Sequence, residues 1–343
     1  MAEKKNMATL LADAINKQFK TEEINFDTAF TLDEIFSPEE MGFIPTGNLA
    51  LDFCIGKPGF PAGRVLELAG PYGSAKSTVI AGAIAAAQKV GIHCVLHDTE
   101  FSYSAKWAKL HGIDPANLTL LHPIHLQDVF DKIVFILDKI AVENKGKMPE
   151  KPTLIAVDSL SIGAAEEMEE EDSTSGKQRG LHAKIIALGL RKIIGRAYRT
   201  RASIVFISQL KDNPGMLHGA NQSKLGGHAI EFQGGILLEI KRRTYLKDPA
   251  SPKPYGMTVA IKAIKNKFVE PFRERTFDII FSEGIRPKEI FVDFLDDPLK
   301  EISKSGGWFD YKGSKYRKSD LAEKLGPEEI KGIYEKLGLL EEG

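Results

Sequence analysis

The stretch Gly70-Pro71-Tyr72-Gly73-Ser74-Ala75-Lys76-Ser77, followed by Thr78, carries the residue types of a loop that holds phosphate. Glycines leave backbone N–H groups bare enough to surround phosphate oxygens, and a helix that opens at the lysine favours their negative charge. The lysine itself can reach the β- and γ-oxygens of a nucleoside triphosphate. Ser77 is then the hydroxyl expected on Mg2+, and Thr78 is placed to add a hydrogen bond to phosphate. The usual pattern has glycine before the lysine, where this chain has Ala75. Its methyl group crowds the loop if the backbone there needs positive φ. A ligand-free turn, or a nucleotide binder without hydrolysis, could carry the same residues.

Turnover needs groups that manage a metal ion and a water molecule. Asp158 ends the apolar run TLIAVD, a place from which a carboxylate can orient a magnesium-bound water. Glu100 closes IHCVLHDTE and is the candidate to polarise the attacking water. Asp98 competes for that role, although Glu100 reaches farther past the strand, and either could instead cap the next helix. Gln209 closes SIVFISQ and either senses the γ-phosphate or satisfies an ordinary strand end. Trp107 is either a stacking face for adenine or a core side chain. His97 has no matching His, Cys or Asp cluster and does not read as a metal ligand.

Such residues meet only if a frame brings several strand ends together. RVLELA (64–69), IHCVLHD (92–98), TLIAVD (153–158) and SIVFISQ (203–209) read as short buried strands. Helices are predicted over 77–89, 104–111, 126–143 and 181–198. Buried strands separated by helices call for a mostly parallel sheet covered on both faces, an α/β fold. Strands at 236–241, 258–264 and 276–281 follow more closely and are expected as antiparallel additions. The composition changes near Pro287, so the expected organisation is an N-terminal arm (1–45), a core (46–286) and a small C-terminal domain (287–343). In the arm, Leu10, Leu11, Ile15 and Phe19 fall on one helical face that packs at home or on a neighbouring subunit.

With 343 residues, 43% hydrophobic and 27% charged, the chain has the composition of a globular protein with one sizeable core. No apolar run approaches the roughly 20 residues of a membrane span, and the N-terminus lacks a secretory apolar block. Cys54 and Cys94 sit in apolar sequence without metal-ligand spacing, as core cysteines of a reduced compartment do. A net charge of −1 excludes a globally basic nucleic-acid binder, so any such contact must be local. The clearest cluster is Lys241-Arg242-Arg243, followed by Lys247. Two polar, glycine-bearing segments (163–179 and 211–227) each follow one of the most apolar strands, at the sheet end where ligands bind; plain surface loops are the other reading.

The ordered series IPTGNLALDFCIGKPGFPAGRVLELAGPYGSAKST, HDTEFSYSAKWAKLHGIDPANL, TLIAVDSL, RGLHAKIIALGLRKI, FISQ, GGHAIEF and IKNKFVEPF closely resembles the RecA recombinase family and its phage representatives of the UvsX type. The resemblance covers about residues 43 to 320 and implies a RecA-like ATPase core. It implies that Lys76, Ser77 and Thr78 hold phosphate and magnesium, that Glu100 is the catalytic glutamate and that Asp158 lies on the metal side. It places Trp107 against adenine and makes Gln209 the link between nucleotide state and DNA. Lys265 and Lys267 would reach ATP on the adjacent subunit, completing a composite site in a filament; without the resemblance IKNKF reads as a solvated strand face.

The resemblance also makes residues 163–180 and 210–227 the two DNA-contacting loops. Arg179, Lys184 and Arg191 lie in or after the first, with Lys184 and Arg191 on one helical face. Lys211 and Met216 lie in the second, which Gly226, Gly227 and His228 close; Met216 or Leu217 could wedge against bases. Lys241, Arg242 and Arg243 resemble the region that holds the second, duplex partner. Two departures stand out: Ala75, and the acidic run Glu166, Glu167, Glu169, Glu170, Glu171 and Asp172, which repels a DNA backbone unless it turns away, binds cations or regulates access.

The implied activity is ATP- and Mg2+-dependent DNA recombination and repair by a filament on single-stranded DNA. A homologous duplex is the second substrate, with single-strand-binding and loader proteins as further partners. The implied location is the cytoplasm of a bacterial cell, or of an infected host if a phage encodes the chain; HDTEF and Ala75 lean toward phage. The rivals are a ring helicase with a RecA-like core, a non-hydrolysing filament or clamp, and a mediator that binds a recombinase. Glu100, both loop segments and IKNKF favour the active recombinase.

Overall fold

The computed structural model of the chain describes residues 7–19, 37–160, 177–212, 222–224 and 229–340. The elements begin with α1 (Met7–Phe19), α2 (Pro38–Met41), β1 (Phe43–Ile44), α3 (Leu49–Ile55), β2 (Phe60–Pro61), β3 (Val65–Gly70), α4 (Lys76–Lys89) and β4 (His93–Asp98). They continue through α5 (Ala105–Leu110), β5 (Leu118–Leu121), α6 (Leu126–Glu143), β6 (Thr153–Asp158), α7 (Lys177–Arg199), β7 (Ala202–Asp212), β8 (Gln222–Lys224) and α8 (Ala229–Gln233). The remainder is β9 (Ile236–Lys247), β10 (Pro254–Asn266), β11 (Glu274–Ile280), β12 (Gly284–Ile285), α9 (Pro287–Asp296), β13 (Ser303–Ser305), β14 (Trp308–Tyr311), β15 (Ser314–Tyr316), α10 (Lys318–Lys324) and α11 (Pro327–Lys336).

The large sheet has the order β12-β11-β10-β9-β3-β7-β6-β4-β5, with β8 hairpinned onto β7. Strands from β9 to β5 are parallel neighbours, and β10, β11 and β12 add antiparallel pairs. This is the mostly parallel α/β core expected, with one correction at its edge. The strand at 236 joins β3 in parallel, where an antiparallel addition was expected. The connection from β7 to β9 spans residues 213–235 and includes α8, long enough for the crossover that parallel pairing requires.

Period-two alternation sorts the apolar strand residues onto two faces. Leu66, Leu68, Cys94, Leu96, Leu154, Ala156, Val205 and Ile207 join one buried cluster with Ile80 and Ile84 of α4. Val65, Val95, Ile155, Val157, Ile204 and Phe206 join the other, against α6 and α7. Near-continuous apolar runs are thus what a sheet covered on both sides needs. Cys54 and Cys94 are free and buried in the first cluster.

The C-terminal elements have a small sheet of their own, β13-β14-β15, but Leu321, Leu325, Ile333 and Leu339 share the first cluster with α3 and α4. A polar staple reinforces that union. The Tyr334 hydroxyl of α11 donates to Asp52 of α3 at 2.6 Å, and the Thr46 hydroxyl donates to its other oxygen at 2.6 Å. On α1, Met7, Leu10, Leu11 and Ile15 are exposed within the single chain. No helix among the described residues is long and apolar enough to cross a membrane.

Candidate active site

β3 delivers the chain to Gly70, the turn 71–75 follows, and α4 opens at Lys76. Gly70 has no room for a side chain: a Cβ would lie 2.3 Å from the Ile240 carbonyl oxygen and 2.7 Å from Ser74 Oγ. The buried Ser74 hydroxyl donates to the Pro71 carbonyl at 2.8 Å and closes the turn from within. Gly73 has φ +67°, a left-handed conformation that glycine adopts without penalty. Ala75, directly before the helix, has φ 68° and ψ 28°, so the backbone does require the conformation that makes a methyl costly there. Tyr72 stands exposed at the crest of the loop.

Lys76 folds back over this turn and donates to the Gly70 carbonyl at 2.9 Å and the Pro71 carbonyl at 2.8 Å. Burial lowers its pKa, and the nearby Asp158 and Glu100 carboxylates oppose that shift. Ser77 reaches the Asp158 carboxylate and the Tyr103 hydroxyl, while Thr78 follows on the same half-buried first turn of α4. Asp158 is itself buried, and desolvation raises its pKa against the lowering hydrogen bonds of Ser77 and Tyr103.

Asp98 and Asp158 are paired partners at the ends of β4 and β6. The ends are pinned together where the Thr99 hydroxyl donates to the Ser159 carbonyl at 2.7 Å and receives the Ser159 N–H at 2.8 Å. Asp98 is fully buried and accepts the backbone N–H groups of Ser102 and Tyr103 at 3.2 and 3.0 Å. It therefore shapes the turn that carries Glu100. Glu100 is exposed past the strand end, where its Oε1 accepts the Ser159 hydroxyl at 3.1 Å. Of the two acids, Glu100 has the freedom to meet a water.

Sequence reading missed Tyr103, whose hydroxyl donates to Asp158 at 2.9 Å. It starts an aromatic row: its ring meets Trp107 edge-on at 4.8 Å, and Trp107 meets His111 at 4.1 Å. Trp107 is half-buried and packs against the main cluster. The spacing of four among Tyr103, Trp107 and His111, across and just outside α5, was the available signal, but nothing in the sequence tied Tyr103 to Asp158. His97 is buried among apolar neighbours, its pKa pushed down to about 4 mainly by desolvation, and no acid–His–Cys cluster able to hold a metal occurs among the described residues.

Gln209 lies level with Gly70 on the adjacent β7, beside the loop. It does not end its strand, as the sequence suggested. β7 runs on to Asp212 because Leu210, Lys211 and Asp212 pair with Lys224, Ser223 and Gln222 of β8, so the rim of the second loop is a hairpin. Lys265 and Lys267 are not brought to the loop of their own chain. Lys265 pairs with Leu237 and thereby lies level with Glu67, near the opposite end of β3. Its ammonium caps α8, donating to the carbonyls of Phe232 and Gly234 at 3.2 Å each, and to that of Glu231.

Lys184 and Arg191 are exposed together on a groove between α6 and α7, with Lys192 beside them paired to Asp131 at 3.6 Å. Arg179 and Lys211 belong to α7 and β7, but their side chains lie outside the described residues, as do Met216, Leu217, Gly226, Gly227, His228 and the acidic run 166–172. The cluster Lys241-Arg242-Arg243 divides: Lys241 pairs with Glu239 at 2.6 Å, Arg243 with Glu274, and Arg242 turns toward Gly73.

A strand end, a glycine-lined turn at a helix start, a lysine, a hydroxyl–carboxylate pair and an exposed glutamate together can bind a polyphosphate and activate water. Comparison with known proteins agrees. The family model for the RecA N-terminal domain matches residues 10–286. The chain is 32% identical over 277 residues to Protein RecA of Porphyromonas gingivalis, covering 81% of this chain and 77% of that protein. It is 33% identical over 278 residues to Protein RecA of Campylobacter lari, covering 81% and 77%. Protein RecA of Bacteroides thetaiotaomicron is 31% identical over 279 residues, covering 81% and 80%. With the site geometry, the family match and these identities in agreement, the chain belongs to the RecA family of recombinases.

Proposed function

We propose that the chain is a DNA-dependent ATPase that assembles as a helical filament on single-stranded DNA and promotes strand exchange with a homologous duplex. The observation that carries this reading is the convergence of Lys76, Ser77, Glu100 and Asp158 at one end of the parallel sheet in a chain of this family. The donors fit ATP with Mg2+. The turn presents backbone around a lysine ammonium, and Ser77 with Asp158 offers the hard oxygen ligands that magnesium takes. Magnesium held there would offset charge between the terminal phosphates.

The chain's own groups divide the remaining work. Lys76 exchanges its loop carbonyls for phosphate oxygens and balances charge on the transferring group. Glu100 leaves Ser159 to orient the attacking water. Tyr103 holds the Asp158 carboxylate in place, and the half-buried Trp107 is the aromatic for the base. Gln209 is the link from the terminal phosphate to the second loop, through a strand that continues directly into the β7–β8 hairpin.

Lys265 and Lys267 serve the neighbouring protomer's nucleotide, a reading supported by their distance along the sheet from their own loop. Arg179, Lys184, Arg191, Lys211, Met216, Gly226, Gly227 and His228 contribute to the single-stranded DNA surface, with Lys241 and Arg243 toward the duplex. Contacts to phosphate position DNA without reading it, so homology is tested by the bases themselves. The test is joint-molecule formation between circular single-stranded DNA and a homologous linear duplex with ATP and Mg2+. Joint molecules that need homology and ATP support strand exchange; directional unwinding without them makes the chain a helicase.

A further inference from the structure

Glu100 and Phe101 are adjacent in the chain but leave the end of β4 in opposite directions. The chain is gripped on both sides of them. Before them, the Thr99 N–H donates to the Asp158 carbonyl at 2.9 Å, and the Thr99 hydroxyl is bonded to Ser159. After them, the Asp98 carboxylate holds the N–H groups of Ser102 and Tyr103. Glu100 turns inward to the Ser159 hydroxyl past the end of β6, the side on which β7, β3 and Lys76 lie. Phe101 turns outward, and its ring stacks on that of His122 with centroids 4.7 Å apart and planes 9° from parallel.

His122 follows β5, the edge strand beyond β4. Leu121 is level with His97, so His122 is level with Asp98. Its Nδ1 lies 3.1 Å from the Asp98 carbonyl oxygen, and since a carbonyl only accepts, Nδ1 carries the proton. Pro123 directly after it restricts the His122 backbone to extended conformations. The imidazole is thus a shelf tied to the strand that carries Glu100. Phe101 holds φ 52°, a left-handed conformation that a Cβ makes costly, and it is 63% exposed. Core packing therefore does not account for a phenyl ring here, and the backbone conformation alone would suit glycine. Strain of this kind persists where the surroundings hold it, and the stacked imidazole is the holder.

We propose that Phe101, stacked on His122, is a positioning residue for Glu100. The proposal rests on the reading of Glu100 as the group that orients the attacking water. The left-handed turn at Phe101 redirects the chain directly after the glutamate, and the stack fixes that turn. With its backbone fixed, Glu100 has only its side-chain torsions to search between Ser159 and the water, so its carboxylate stays on the side of Lys76.

The test is ATP hydrolysis by the full chain at saturating single-stranded DNA, resolved into kcat and the KM for ATP. ATP-dependent binding to the same DNA is measured in parallel, and thermal unfolding checks each fold. Phe101→Gly removes the ring and the backbone strain together. It is expected to fold, yet to lower kcat about tenfold to a hundredfold with KM and DNA binding within about twofold. Phe101→Tyr keeps the stack and should stay within about threefold of the wild type. Phe101→Leu fills similar space without stacking, should fall as the glycine variant does, and serves as the test if that variant does not fold. His122→Ala should lower kcat in the same direction. Added to Glu100→Gln, Phe101→Gly should cost nothing further, because a residue that acts through Glu100 has nothing left to position.

An unchanged kcat in Phe101→Gly overturns the proposal, as does an undiminished loss on the Glu100→Gln background. A fall in kcat that travels with weakened DNA binding also overturns it and makes Phe101 an assembly contact. Normal turnover by Glu100→Gln would overturn the reading of Glu100 itself, a failure distinct from that of Phe101.

Discussion

Asp158 and Asp52 are both buried carboxylates gripped by one tyrosine hydroxyl and one serine or threonine hydroxyl, yet they sit in regions with opposite character. Asp158 has Tyr103 and Ser77; Asp52 has Tyr334 and Thr46. Burial raises the pKa of each, that of Asp52 to about 7. Beside Asp158 are the Lys76 ammonium, an open glycine-bearing turn and the exposed Glu100. Around Asp52 lies the main apolar cluster, and no cation among the described residues pairs with it. A hydrogen-bonded buried acid therefore does not mark a functional site by itself. A cation and a place for substrate beside the acid make the distinction, while the same grip at Asp52 joins α3 to the C-terminal helix.

Replacing each acid by its amide tests the comparison most severely. Asp158→Asn should lower DNA-stimulated ATP turnover about 1,000-fold, as the loss of a group that sets charge at the reacting phosphate does. Asp52→Asn should leave turnover within about twofold, because its effect is confined to folding. Phosphate release at saturating ATP and DNA measures both, and equal losses would erase the distinction.

The pH dependence of stability separates the two regions next. The folded state keeps a proton on Asp52 up to about pH 7, whereas the unfolded chain releases it near pH 4. Folding thus binds a proton in that window, and stability falls as pH rises from about 4 to about 7, then levels off. The loss is on the order of 4 kcal/mol. Asp52→Asn should flatten this slope in denaturant titrations; a slope identical to that of the wild type would show that Asp52 does not carry it.

Removing the tyrosine hydroxyls sharpens the contrast at lower cost. Tyr334→Phe should reduce unfolding stability by about 1–3 kcal/mol with turnover unchanged. Tyr103→Phe should instead raise the Mg2+ concentration for half-maximal turnover several-fold. A Mg2+ shift in Tyr334→Phe, or none in Tyr103→Phe, would reverse the assignment. The smallest effect is expected at Ala75, whose left-handed backbone conformation glycine relieves but whose methyl packs on the main cluster. Ala75→Gly should change stability by no more than about 1 kcal/mol, read from the thermal midpoint.

Much of this arrangement was legible in the sequence because its causes are local. Apolar runs bounded by helices announced β3, β4, β6 and β7, and residue types alone drew attention to Lys76, Ser77, Glu100 and Asp158. Lateral relations were not legible. Residues 210–212 extend β7 by pairing with 222–224, and polar residues on a hairpin rim leave no apolar signal. The parallel placement of β9 depends on the path of a crossover, and the separation of Arg242 from Lys241 and Arg243 depends on a bulge. Tyr103 acts across 55 positions of sequence, a contact that no local spacing encodes. Reach past the strand favoured Glu100 over Asp98, and the burial of Asp98, which no local spacing encodes, accounts for the rest of the difference.

ATP hydrolysis with and without homology-free single-stranded DNA, in the wild-type chain and in Lys76→Ala, tests the central claim that the strand-end site is a nucleotide site coupled to DNA. The account predicts strong stimulation by DNA in the wild type and its loss in Lys76→Ala. A folded wild-type chain that binds ATP but hydrolyses it no faster with DNA would contradict it.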